Sequence, residues 1–418
     1  MEKEENKPTF PLPAPVLAVF DRLREAGYEA FLVGGCVRDF LRGVAPHDYD
    51  MATNARPQEM KAALAAYRLI ETGIRHGTLT VWNDGMAIEL TTYRIDGDYH
   101  DSRHPESVCF TTQLREDAAR RDFTMNAIAY HPALGLRDYF GGGADIGARC
   151  IRAVGEPNRR FGEDALRILR AMRFAAVLGF SIEEETARAM HACAPLLVHI
   201  SAERVLEELR KLLCGPYAGE VLAAYADVLA PVMPAWYAAA EKDMAHVAAL
   251  VSAAPSDAVA RFAAFLWPLR GQPAAVEEWL AALRFDRRTR ERVSKLLSHW
   301  EMPCTGEGAV LRRFIAGLGS EDARLLLALH RAEAEVFSDA ERGAALASAA
   351  AAVDELLQQG ACCTVRDLAV RGEELAACGC PRGREMGLAL HMLLEAVLDG
   401  RVVNEKGALL AYWQTKRP

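Results

Sequence analysis

The alternation of apolar and polar positions divides the chain into two unequal parts. Up to about residue 140, short apolar runs and alternating stretches predict strands at 29–33, 48–52, 78–82, 86–93 and 127–131. Val16, Phe20 and Leu23 recur at helical spacing and predict a helix over 16–26 that covers the first strand. Pro57, at an N1-like position, starts a helix running to about Tyr67. From about Gly142 onward strand signals nearly vanish, and apolar residues recur at three and four among Ala, Leu, Glu and Arg. That part reads as helical, with breaks at 155–157, 179, 215–216, 231–234, 271–273, 303–308 and 360. The Ala-rich run 344–352 favours helix, and no fixed-period repeat supports a solenoid. The fold class is α+β: a small mixed sheet with helices, followed by helices alone.

One stretch organises the first part. Residues 31–53, FLVGGCVRDFLRGVAPHDYDMAT, read as a buried strand, a Gly34-Gly35 turn, one helix, a connector and a second strand carrying Asp48 and Asp50. Successive side chains on a strand point to opposite faces, so the two carboxylates project side by side, away from Tyr49 and Met51. Such a pair repels unless a cation sits between its members. Oxygen-only donors suit Mg²⁺, which also keeps waters and binds substrate phosphates. The glycine turn offers backbone N–H groups to a phosphate, and Arg38, one helical turn after Gly35, suits a triphosphate. Asp39 reads as a local partner or cap. Alone, a glycine pair is usually a turn, and Asp-x-Asp is common on solvated surfaces. There is no GxGxxG here, which disfavours a dinucleotide. Glu89, in MAIELTTYRI, shares a face with Thr91 and Tyr93, opposite Ile88, Leu90 and Thr92. It is either part of an exposed face or a third acid near the metals.

Two arginine-rich clusters follow. RRDFTMNA (120–127) is either a helix start with salt bridges or a way to set Arg121 on phosphates. Between 149 and 173 there are seven Arg against three acids, a local net of +4 in a chain of −8. Asp164, Arg167, Arg170 and Arg173 recur every three residues, a stripe that drifts by about 60° per step on one helix. They line a groove along a nucleotide and an RNA end, or form a solvated salt-bridge stripe.

Composition narrows the class. At 418 residues the chain holds two to four compact units. Apolar content of 51% and charged content of 25% are those of a soluble globular protein. No apolar run is long enough for a membrane span, and the N-terminus lacks a signal-peptide core. Ten scattered Cys without zinc-ligand spacing point to reduced thiols and a cytoplasmic location. The polar run DGDYHDSRHPES reads as a mobile loop.

Taken together, LVGGCVRD, HDYDMAT, IELTTYRIDGDYHDSRHP, RRDFTMNAIAY and EDALRILRAMRF resemble the class II CCA-adding tRNA nucleotidyltransferases, close relatives of bacterial poly(A) polymerases. ISAERVLEELRKLL looks like the same family, as do TVRDLAVRGEEL and VVNEKGALL near the end. The resemblance is dense from about 30 to 213 and thin through the middle. It implies a catalytic nucleotidyltransferase head (1–140), a nucleotide-selecting helical neck (141–215), a helical body (216–340) and a tRNA-binding helical tail (341–418). Asp48 and Asp50 would hold two Mg²⁺, with Glu89 a third catalytic acid. Gly34, Gly35, Arg38 and Arg121 would contact the nucleotide. Asp164 and Arg167 would read the incoming base, with Arg170 and Arg173 completing the pocket. The substrates implied are CTP, ATP and tRNA, with no protein partner evident.

Base reading also has a chemical ground. A carboxylate only accepts hydrogen bonds and a guanidinium only donates. Cytosine and adenine each set an amino donor beside a ring-nitrogen acceptor, whereas uracil and guanine turn a carbonyl toward the carboxylate. Four rivals stand beside CCA addition. A poly(A) polymerase is disfavoured by GIRHGTLTV (73–81), which looks like the CCA-adding branch. CC-only addition is disfavoured by the complete loop at 96–108, and A-only addition stays open. A non-catalytic RNA-binding module would lack the Asp pair or the triphosphate arginines, all of which are present. No adjacent His-Asp pair in the helical half suggests a phosphohydrolase.

Overall fold

A computed structural model describes residues 10–96, 108–306 and 308–416. The chain divides into two compact units, the first made of 1–217 and 227–232, the second of 218–226 and 233–418.

In the first unit, helix α1 (Ala14–Glu25) buries Val16, Val19, Phe20 and Leu23, and Gly27 ends it at φ 84°. β1 (Ala30–Val33) is buried at every position. Gly34 then turns at φ 74°, conformational space that favours glycine, and opens α2 (Gly35–Leu41). β2 (Tyr49–Thr53), α3 (Pro57–Ala63), β3 (Arg68–Ile70), β4 (Thr78–Asn83) and β5 (Met86–Thr92) follow. β6 (Arg94–Asp96) pairs antiparallel with β7 (Val108–Phe110). Next come α4 (Leu114–Ala119), β8 (Ile128–His131), β9 (Gly135–Asp138) and α5 (Gly142–Gly147).

Seven of these strands form one sheet in the order β3-β4-β5-β2-β1-β8-β9. It is mixed, because β2 and β5 run parallel while the other pairs are antiparallel. Register sets the character of each face. Leu32, Met51, Leu79, Val81, Ile88 and Leu90 share one face and are all buried. The other face changes along the sheet. Phe31, Val33, Ala52 and Ala129 pack into an apolar cluster with Tyr93 and Leu114. Toward β4 the same face carries Thr78 and Thr91, joined by a 3.0 Å hydrogen bond between their hydroxyls, and the row Asp50–Glu89–Thr80.

The five predicted strands all form, within a residue or two of their predicted ends. The helix from Pro57 stops at Ala63, four residues early, because the chain extends again into β3. Tyr93 follows the end of β5 and lies on the same side of the sheet as Glu89, but it is fully buried in the apolar cluster, so that face is exposed only in part. The region after Gly142 is not wholly helical. β10 (Cys150–Ile151) and β11 (Ser181–Ile182) form a two-residue parallel pair. Around them lie α6 (Pro157–Glu163), α7 (Leu166–Leu178), α8 (Glu184–Cys193) and α9 (Ala202–Leu213). α7 ends at Gly179, with φ 65° and the Tyr217 ring where a Cβ would sit. Residues 227–232 return to this unit, where Asp227 lies 2.9 Å from His191 Nδ1.

The described residues of the second unit contain helices and 3-10 turns but no strand. Trp236 stacks on Phe265 at 4.0 Å and donates its indole N–H to the Phe265 carbonyl at 2.7 Å. A separate apolar cluster gathers Leu375, Leu393, Leu409 and Trp413. No helix among the described residues is long and apolar enough to cross a membrane.

Candidate active site

The polar row on the sheet fixes the first part of the site. Parallel pairing sets Asp50 of β2 directly beside Glu89 of β5, both exposed, while their neighbours Met51, Ile88 and Leu90 are buried behind them. Asp48 is exposed and immediately precedes β2, which begins at Tyr49. Asp50 reaches water yet is densely surrounded by protein. Desolvation, then the Glu89 charge, push its carboxyl up to about 6; Asp48 adds to this and Arg121 opposes it. Like charges on paired strands are destabilising, so this site gives up stability to hold negative charge in one place. Behind it the buried Cys36 thiol donates to the carbonyl of Val33 at 3.2 Å and to that of Asp50 at 3.8 Å, tying α2 to both strands.

The glycine turn brings two guanidinium groups to the same end of α2. A Cβ at Gly34 would sit 3.4 Å from Arg121 Nη1, and one at Gly35 would sit 3.6 Å from Arg38 Nη2. Arg120 and Arg121 close α4 rather than starting a helix. Both donate back to Asp117, at 2.9 and 3.0 Å. Burial pushes the Asp117 carboxyl up, but Arg121 and Arg120 outweigh it and hold it below its ordinary range. Arg38 donates to the adjacent Asp39, the local partner expected for it, and to Asn126 Oδ1 at 3.1 Å.

Asn126 continues a chain of contacts into the helices. Its amide donates to Asp122 at 3.1 Å, and Asp122 also accepts from Arg170 Nε at 2.8 Å. Burial raises the Asp122 carboxyl, yet Arg170, Asn126 and the Phe123 N–H together hold it at about 2. Arg173 lies 2.6 Å from Glu208, which also faces Arg170 at 3.7 Å, and its guanidinium stacks over Phe174 at 4.0 Å.

Asp164 does not ride on the same helix as the three arginines. It is extended (φ −149°, ψ 103°) in the break between α6 and α7. Its carboxylate accepts from the Leu166 N–H at 3.1 Å and from Arg204 at 2.7 Å. Arg167 is buried in α7 and donates to Glu163 at 2.8 Å and to the carbonyls of Arg160 and Arg120, at 2.9 and 3.0 Å. The four-residue stripe is therefore two groups. Arg170 and Arg173 meet at Glu208, whereas Asp164 and Arg167 are held by separate partners.

Asp48, Asp50 and Glu89 are oxygen donors only. Among the described residues no group of three or more His, Cys, Asp or Glu is arranged to hold a metal ion. Two carboxylates with positions left for water and phosphate match Mg²⁺ better than an all-protein cage does. The expected mobile loop, residues 97–107, lies outside the described residues.

Residues 30–152, which contain this sheet, match the family described as Poly A polymerase head domain. Residues 179–236 match "Probable RNA and SrmB-binding site of polymerase A", and 255–413 match tRNA nucleotidyltransferase domain 2. A CCA-adding enzyme of Geobacillus thermodenitrificans is 38% identical, covering 97% of this chain and 97% of that protein. The chain belongs to the CCA-adding enzyme family. Another family member, from Geobacillus stearothermophilus, is 36% identical over 97% of both chains. The structure of the Bacillus stearothermophilus CCA-adding enzyme in complex with CTP superposes with a TM-score of 0.81. It is 31% identical and covers 97% of this chain and 98% of its own. The Thermotoga maritima enzyme complexed with tRNA has a TM-score of 0.67 at 22% identity, a likeness of fold.

Membership gives context to three residues that sequence reasoning left without a role. Asp122 and Asn126 connect Arg38 to Arg170, and Arg204 holds Asp164. Asp122 and Asn126 lie in the RRDFTMNA cluster and Arg204 in ISAERVLEELRKLL, but their partners are 88, 48 and 40 residues away. Spacing along the chain carries no signal for such pairs.

Proposed function

We propose that the protein adds C and A nucleotides from CTP and ATP to the 3′ end of tRNA without a nucleic-acid template. The observation that carries this reading is the Asp50–Glu89 pair, with Asp48 beside it, next to a glycine turn flanked by Arg38 and Arg121. In it, the RNA 3′-oxygen attacks the α-phosphorus of the nucleotide, the bond to the bridging oxygen breaks, and pyrophosphate leaves. Arg38 and Arg121 bind the triphosphate, and Asp39, Asn126 and Asp117 hold their guanidinium groups in place. Asp48 and Asp50 would hold Mg²⁺. The raised proton affinity of Asp50 is what carboxylates awaiting a cation display. Bound there, the metal would make the 3′-hydroxyl more acidic and offset charge on the triphosphate. None of the ten Cys forms a disulfide among the described residues, which supports a reducing compartment, the cytoplasm.

Base choice is assigned to Asp164 and Arg167, beside Arg170 and Arg173. Each Asp164 oxygen can accept more than one hydrogen bond, so a cytosine or adenine amino group can join Arg204 there. The four-part division into head (1–140), neck (141–215), body (216–340) and tail (341–418) places transfer in the first, selection in the second and tRNA binding in the last.

Pure protein given Mg²⁺, CTP and ATP should extend a tRNA ending in its discriminator base by CCA, and a tRNA ending in CC by A. A long A-tail, CC alone, or product only on the second substrate would each overturn CCA addition. Replacing Asp164→Ala should cut discrimination against UTP and GTP by about tenfold or more, the worth of a lost two-point hydrogen-bonded contact, while transfer continues. An unchanged nucleotide preference would remove Asp164 from the base-reading role.

A further inference from the structure

Away from the transfer site, the first unit has an open cleft of about 400 Å³ that no part of the proposed reaction uses. Its apolar floor is Leu41, Ile146 and Leu178, and its cations are Arg42 and Arg149. Both guanidinium groups lie over the ring of Phe180, at 5.6 and 6.0 Å from its centroid. Phe180 is buried, so it serves as a fixed platform. A guanidinium stacked on a ring is already oriented, so it loses less freedom when its N–H edge grips an anion.

Two features set Arg149 apart. Its backbone is held at φ 54°, a left-handed conformation that non-glycine residues seldom adopt. The carbonyl of this residue accepts from the Ser181 N–H at 2.9 Å, and its Nη2 donates to the Gly179 carbonyl at 3.3 Å. Among the described residues its guanidinium has no carboxylate partner. Arg42 has one, Asp39, which it shares with Arg38. Two cations converging on one ring, with a single shared carboxylate between them and Arg38, leave the cleft positive.

We propose that Arg42, Arg149 and Phe180 form a phosphate-binding cleft that takes a backbone phosphodiester of the RNA substrate, outside the transfer site. This rests on the proposal that the protein extends tRNA. A free nucleotide could supply the same chemistry, but Arg38 and Arg121 already flank the glycine turn for a triphosphate. Arg42 lies one helical turn beyond Arg38, on the C-terminal side of α2.

The test uses the full chain as wild type, as Arg42→Ala with Arg149→Ala, and as Arg42→Gln with Arg149→Gln. The Gln pair keeps stems against Phe180 and separates loss of charge from loss of packing. Labelled tRNA ending in its discriminator base is titrated across a salt series, and CTP binding is measured without RNA. Both double variants should bind tRNA about 3–10-fold more weakly, and the slope of log K against log salt should shrink by about 1. KM for tRNA should rise, with kcat and CTP affinity as in wild type. Unchanged tRNA affinity and slope, or a loss confined to CTP, overturns the proposal. Wild type that neither binds nor extends tRNA would instead refute the function on which it rests.

Discussion

Asp50→Asn is expected to abolish incorporation of both C and A, by about 10³-fold or more in kcat, without lowering stability. The two expectations share one cause. Desolvation and Glu89 raise the Asp50 carboxyl to about 6, so its ionised form is disfavoured in the folded protein. An unfolded chain has no such neighbours and ionises near the ordinary value. Between those two values the folded state binds more protons than the unfolded one, and stability falls as pH rises. The contribution of Asp50 is thus fully present below the unfolded carboxyl value and lost as pH climbs through about 6. Denaturant melts of metal-free protein should therefore show wild type losing stability relative to Asp50→Asn between about pH 4 and about pH 6. A pH-independent difference would mean that Asp50 is not held under repulsion. Retained transfer activity would remove it from the reaction.

Asp122→Ala is expected to destabilise the first unit strongly. The carboxylate is buried and accepts from Arg170, from Asn126 and from the Phe123 N–H. Removing one member of a buried pair strands the other. The cost is about 3 kcal/mol, at the low end of its range because Arg170 reaches water at one edge. A unit of this size loses roughly 2–4 °C of Tm per kcal/mol. Asn126 would also lose its acceptor, and Asn126 holds Arg38. KM for both nucleotides should therefore rise together, without a change in the preference for CTP and ATP over UTP and GTP. A variant that melts like wild type and binds CTP normally would show that the network does not position Arg38.

The two expectations differ in how far the sequence foreshadowed them. The strands around Asp50 were readable because four to seven residues of alternation suffice to mark a half-buried strand. β3, β10 and β11 have two or three residues each, too few for a period to show. Asp50 stood out as a candidate site residue from its spacing to Asp48. Its pairing with Glu89 did not, because register between strands far apart in sequence depends on the whole sheet. The arginine stripe shows the opposite error. Three-residue spacing continues smoothly through EDALRILRAMRF, but the helix does not, since Asp164 is extended and starts α7 with its own carboxylate on the Leu166 N–H. A local cap overrode the periodic pattern. Asp122, Asn126 and Arg204 act through partners that only the tertiary fold brings near.

The path of the backbone between its two compact units has a consequence of its own. The chain leaves the first at 217, enters the second for 218–226, comes back for 227–232 and leaves again. A single cut or a single recombination point at this boundary cannot separate the units cleanly. A fragment ending at 217 loses the return segment, and with it the Asp227 partner of His191. A fragment extended to 232 carries an orphaned helix, Ala218–Tyr225, whose packing partner Met244–Ala253 lies in the second unit. Grafting the transfer site onto another helical partner would thus require three junctions, at 217/218, 226/227 and 232/233. Along the chain the two units are laced rather than strung.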